Sequence, residues 1–150
     1  MREWKDRAVS TTIGYALTLG VASLLITGLL IAGGGFLQDQ REGTTRTELA
    51  VIGEQVSADL SSADRLNYSG VDSIRIQRNL PQRVTGSAYT IELNTATQSH
   101  LVLRSAEPEV VVRVDVATRT DLRAGSIGGG SIQVTYDPTT DELVLSNANT

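Results

Sequence analysis

His100 is the only histidine of the chain, and Ser99 precedes it. A serine nucleophile with a histidine base needs a third group to orient the imidazole and a strained turn to expose the hydroxyl. No G-x-S-x-G elbow is present to supply that turn. His100 falls at the start of an expected strand and reads as a solvated edge residue. One histidine and no cysteine cannot furnish a zinc site. Asp137, Asp141 and Glu142 gather carboxylates that could attract Ca²⁺. The alternating ligand loop of an EF-hand and its glycine are missing, however, and turn formation accounts for the aspartates. Gly125-Ser126-Ile127-Gly128-Gly129-Gly130 has the glycine content of a phosphate-binding loop. No helix is expected after it and no lysine is near, so it reads as a flexible connection between two strands. Asp64 and Arg65, near the end of a helical pattern, read as members of local surface ion pairs. No residue is assigned a catalytic, metal or cofactor role, and the chain is read as a non-enzyme.

The chemistry that the sequence does invite is done to the chain itself. Arg7-Ala8-Val9-Ser10 places a basic and a small residue at the border of an uncharged run, residues 8–37. A membrane aspartyl protease working at the cytoplasmic face would meet the Ala8–Val9 bond at the membrane boundary. Cleavage there would remove Arg2, Lys5 and Arg7 together with Glu3 and Asp6. The helix left behind would carry no charged leader side chains and could be drawn from the bilayer to bundle with identical helices.

The element that positions this bond is the uncharged run. A bilayer core needs about 20 apolar residues as helix, and a secretory signal has an apolar region of about 7–15, so a run of thirty residues spans rather than signals. Arg2, Lys5 and Arg7 precede it, while only Arg41 and Arg46 follow closely, which places the N-terminus in the cytoplasm and the C-terminal domain outside. Trp4 is placed as an interfacial anchor. Small residues recur at four-residue spacing at Thr12, Ala16 and Gly20, at Ser23 and Thr27, and at Gly28 and Ala32. Such residues let helices approach closely, so Ala16, Gly20, Gly28 and Ala32 are the expected helix-packing positions. Gly33, Gly34 and Gly35 each forgo about 1 kcal/mol of helix propensity relative to alanine, which predicts a hinge or local melting there.

Beyond the run the period remains helical. Leu49, Ile52, Val56, Leu60, Ala63 and Leu66 form an apolar stripe, with Glu48, Glu54, Gln55, Ser57 and Asp59 mostly off it, and Asn67 to Gly70 supply the stop. The period then becomes two. Ile74 and Ile76, then Tyr89, Ile91 and Leu93, and Val110, Val112, Val114 and Val116 alternate with polar residues, and Leu101 to Leu103 add a short strand. Ile132, Val134 and Tyr136 face Leu143 and Leu145 across an Asp137-Pro138-Thr139-Thr140-Asp141 turn. The fold class is therefore α+β, a long N-terminal helix packed on a small antiparallel sheet that is solvated on one face. The expected divisions are a leader over residues 1–8, a transmembrane or filament-core helix over 9–37, an amphipathic helix over 38–68 and a β head over 69–150.

Composition sets outer bounds. A net charge of −4 argues against a nucleic-acid partner, which calls for a basic face. Without cysteine the head has no disulfide framework. The lopsided basic set, in which Lys5 is the only lysine against twelve arginines, together with 17 carboxylates, resembles secreted proteins of halophilic archaea.

Asp6-Arg7-Ala8-Val9-Ser10-Thr11-Thr12-Ile13-Gly14-Tyr15-Ala16-Leu17 resembles the class III signal of archaeal type IV pilins, particularly those of haloarchaea. The resemblance implies that a prepilin-type peptidase cuts after Arg7-Ala8 and makes Val9 the new N-terminus. It further implies that the helix forms a filament core with other pilin-like subunits, the β head lying outside. Two departures stand out. Many pilins carry Glu as fifth mature residue where this chain has Ile13, and haloarchaeal major pilins often read Ser-Pro-Val-Ile-Gly where Ser10 to Gly14 stand here. The resemblance therefore points to a minor pilin or pseudopilin of a surface filament. The alternatives are a single-pass membrane anchor displaying a structural or sensing β domain, never assembled, and a secreted protein cut near Ala32–Gly35.

Overall fold

The computed structural model describes residues 3–70 and 73–148, with side chains from Thr12 onward. One helix, α1 (Glu3–Tyr68), precedes nine strands. These are β1 (Arg75–Asn79), β2 (Arg83–Val84), β3 (Ser87–Asn94), β4 (His100–Ala106), β5 (Glu109–Asp115), β6 (Asp121–Leu122), β7 (Gly125–Gly128), β8 (Ser131–Asp137) and β9 (Glu142–Asn147). The chain divides into two compact units, Met1–Gln40 and Arg41–Thr150. The fold is α+β, a long N-terminal helix followed by antiparallel sheets, and the second half of α1 belongs to the same unit as the strands.

Within the first unit α1 runs as continuous helix through Gly33, Gly34 and Gly35, the positions expected to form a hinge or to melt locally. Helix extension adds one hydrogen bond per residue once a nucleus exists, and long flanks on both sides hold the glycines in register.

Within the second unit α1 lays down the expected stripe. Leu49, Ile52, Val56, Leu60 and Ala63 are all buried, and the four larger of them contribute roughly 1.5–3 kcal/mol each by leaving water. Leu66 is the exception, left exposed in the last turn. The helix ends where Ser69 and Gly70 donate their amides to Leu66 and Asn67, with Gly70 at a φ of 81°.

The strands form two sheets, where the period-two pattern had suggested one. The first has the order β1-β8-β9-β6, and β6 pairs with β9 in parallel over Asp121–Leu122. The second has the order β2-β3-β4-β5, with β7 also on β3. Alternation reports which face of a strand is buried, not which strand lies beside it, so the division was not readable from the pattern. The hairpin across residues 137–141 forms in the expected register, Tyr136 opposite Leu143 and Val134 opposite Leu145. The glycine-rich tract is not a flexible connection, because Gly125–Gly128 is β7, paired along Thr90–Leu93.

Both sheets and α1 share one core, in which Leu49, Val56 and Leu60 join Ile91, Leu101 and Leu103 of the second sheet and Ile132, Val134 and Leu143 of the first. Gly53 sets the closeness of this packing. A Cβ there would lie 2.7 Å from Val114 Cγ2 and 2.9 Å from Leu103 Cδ1, so α1 meets the second sheet through bare backbone.

Candidate functional site

Every residue from Thr12 to Arg41 is exposed, and the apolar side chains among them are as open as Leu24 at 75% and Ile31 at 74%. Exposure on this scale is far beyond the apolar patch a soluble monomer tolerates. The Thr12–Tyr68 helix is long and apolar enough to cross a membrane, with none of its apolar window buried. Its interior hydroxyls suit hydrocarbon. Thr18 donates to the Gly14 carbonyl at 2.9 Å, Ser23 to Leu19 at 2.8 Å and Thr27 to Ser23 at 2.8 Å. Each hydroxyl is thereby satisfied within the helix, which removes the main cost of carrying it into lipid.

The expected packing positions lie on this surface, with open space at Gly20 and Gly28 and at Gly33 to Gly35. They do not form a single stripe. At about 100° per residue, Thr12, Ala16, Gly20, Ser23 and Thr27 share a face roughly 80° wide, while Gly28 and Ala32 sit about 120° away from Ala16 and Gly20. A helix with two small-residue patches can receive two neighbours at different depths. Arg7, Ala8 and Val9 lie outside the described residues as far as their side chains are concerned, as does Trp4.

The head offers polar clusters whose partners are structural. His100 begins β4, a strand flanked by β3 and β5, so it stands at a strand end rather than on a sheet edge, and its Nδ1 lies 2.7 Å from the Gln98 carbonyl. Among the described residues no group of three acidic or histidine side chains could hold a metal ion. The carboxylates of the β8–β9 turn are engaged by Arg123, which donates to Asp137 and Glu142 at 2.9 Å each and to Thr140 at 2.6 Å. That guanidinium, with the Thr139 amide, holds the Asp137 carboxyl below its usual value. Tyr136 donates to Asp141 at 2.8 Å, and this bond, with burial, raises the phenol.

Two acidic residues of α1 do work that spacing alone did not disclose. Asp59 is buried and receives Nε and Nη2 of Arg78, tying α1 to β1. Asp64 is not in an ion pair with Arg65. Its Oδ1 instead accepts the backbone amides of Arg119 at 3.1 Å and Thr120 at 2.8 Å, while Arg65 donates to Ser62. Burial opposes the Asp64 charge, but these donors outweigh it and the carboxyl sits below its usual value. The signal that could have exposed both residues is their helical phase, since Asp59 adjoins Leu60 and Asp64 adjoins Ala63 at the margins of the apolar stripe.

The charged clusters of the head are thus engaged within it, while the apolar side chains from Thr12 to Gln40 stand exposed. No curated protein and no solved structure matches this chain. A protein-family model matches residues 4–146, from the start of α1 into β9, so helix and head are inherited as one unit. The chain belongs to this family, DUF7266, a family of unknown function.

Proposed function

We propose that this protein is a non-enzymatic pilin-like subunit, a minor pilin or pseudopilin of an archaeal type IV pilus-like surface structure. The chain is first held as a single-pass protein of the cell membrane, N-terminus cytoplasmic and head extracellular, and then assembled through its N-terminal helix. The observation that carries the reading is the exposed surface from Thr12 to Gln40, an apolar helix with internally satisfied hydroxyls and small-residue patches. Such a surface suits lipid in storage and other helices in a filament, because close backbone approach replaces the hydrophobic drive that is absent between lipid-bathed helices. The Arg7-Ala8-Val9 border supplies the point at which a prepilin-type peptidase would release it.

N-terminal mass spectrometry of the native protein tests the reading. A mature start at Val9 is expected, and an Arg7→Ala chain should retain its leader. An intact Met1 or Arg2 would instead support a permanent membrane anchor, and a start near Gly34 or Gly35 a secreted form.

A further inference from the structure

Within the second unit a cleft of about 620 Å³ opens between the last turns of α1 and the connection from β5 to β6, a size ordinary for a ligand site. Ser61, Arg65, Tyr68 and Ser69 line it from the helix, and Thr118 and Arg119 from the connection. Its guanidinium groups differ from others in the head. Arg78, Arg104, Arg113 and Arg123 each lie within 3.9 Å of a carboxylate. Arg65 and Arg119 make no such pair among the described residues. Arg65 donates to the Ser62 hydroxyl at 3.0 Å, and the Arg119 guanidinium carbon lies 4.9 Å from the centroid of the Tyr68 ring. Asp64 also lines the cleft, but its Oδ1 accepts the backbone amides of Arg119 and Thr120 and so fixes the connection that carries Arg119. The end of a helix draws cations as well, yet the carbonyls of Arg65, Leu66 and Asn67 already accept the amides of Ser69 and Gly70. Two guanidinium groups beside one carboxylate leave surplus positive charge and unused N–H donors, in a chain whose net charge is −4.

We propose that this cleft binds an acidic saccharide, with a sugar ring on Tyr68 and its carboxylate or sulfate held by Arg65 and Arg119. The Tyr68 side chain is 77% exposed and offers an apolar ring beside polar groups. A sugar ring matches that mixture. Its C–H face suits the phenol ring, its hydroxyls suit Ser61, Ser69 and Thr118, and an attached oxyanion suits guanidinium groups, which grip carboxylate and sulfate through paired N–H donors. An acidic peptide or a free phosphate would engage the arginines and leave the ring idle. The proposal concerns the head alone and does not rest on filament assembly or leader cleavage.

Calorimetric titration of the detergent-solubilised full-length chain tests it. The probes are trigalacturonate, its uncharged methyl ester, a sulfated trisaccharide, inorganic phosphate and hexaglutamate. At least one acidic sugar should bind saturably with a Kd below about 1 mM, and the methyl ester about tenfold more weakly than its acid. Arg65→Gln or Arg119→Gln should each weaken binding of the acidic sugar about tenfold, by removing a charged hydrogen-bond donor. Tyr68→Ala should weaken binding of that sugar, while Arg75→Gln, on β1, should leave it unchanged. Unaltered melting temperatures show that the variants remain folded. Failure of both acidic sugars to bind, an ester as tight as its acid, tighter binding of phosphate or hexaglutamate, or a folded Tyr68→Ala chain with undiminished binding would overturn the proposal.

Discussion

Replacing Asp64 should reveal how the head clamps its β5–β6 connection to the helix. The Asp64 carboxylate, 8% exposed, accepts two amides from the segment between β5 and β6, at 3.1 and 2.8 Å. Hydrogen bonds to a charged group contribute about 1.5–3 kcal/mol each. Arg119 is exposed and Thr120 half-buried, so water recovers part of the loss in a truncated side chain. Asp64→Ala should therefore cost about 2–3 kcal/mol, a fall in Tm of roughly 10–20 °C for a unit of this size. Asp64→Asn keeps a neutral acceptor and should cost about 1 kcal/mol at pH 7. The pH dependence distinguishes charge from packing. The carboxyl is lower in the folded than in the unfolded chain, so its stabilisation is complete above the unfolded value and is lost as pH falls through the folded one. The deficit of Asp64→Asn relative to the parent should accordingly shrink below about pH 4. Calorimetry of the detergent-solubilised chain from pH 3 to 7 measures this. An Asp64→Ala protein within about 0.5 kcal/mol of the parent, or an Asp64→Asn deficit unchanged at low pH, would refute the reasoning.

Two further substitutions address how α1 is seated. Gly53→Ala should destabilise by about 1 kcal/mol, because overpacking against Val114 and Leu103 exceeds the gain of about 1 kcal/mol in helix propensity, and Gly53→Leu by about 3 kcal/mol; both are read from the same melts. Arg78→Ala leaves the Asp59 carboxylate, 8% exposed, without its guanidinium. A fully buried pair would lose about 3–5 kcal/mol, but Arg78 is 39% exposed, so a loss of about 1–2 kcal/mol is expected in urea titrations.

Local patterns accounted for a good part of this architecture. The stripe from Leu49 to Ala63 was legible because helix period and burial coincide over four turns. The β8–β9 hairpin was legible because its turn residues sit between two alternating runs, and Thr139 indeed donates its amide to Asp137 within that turn. The glycine tract misled, since glycine content signals flexibility, yet the open edge of β3 asks only for backbone donors and acceptors and takes Gly125–Gly128 as a strand. Asp59 and Asp64 misled in a similar way: carboxylates beside an apolar stripe look solvated until distant segments bring Arg78 and the 119–120 amides to them.

The sequence by itself determined that this protein carries an uncharged helix able to span a membrane and an alternating β region. Both are properties of neighbours along the chain, of 3.6-residue and two-residue periods and of length. Only the tertiary structure decided that the strands divide into two sheets, that α1 approaches one of them through Gly53 and that β5 is the last strand of that sheet. Those outcomes depend on which remote segments meet, and pairing between remote segments leaves no period in the sequence to read.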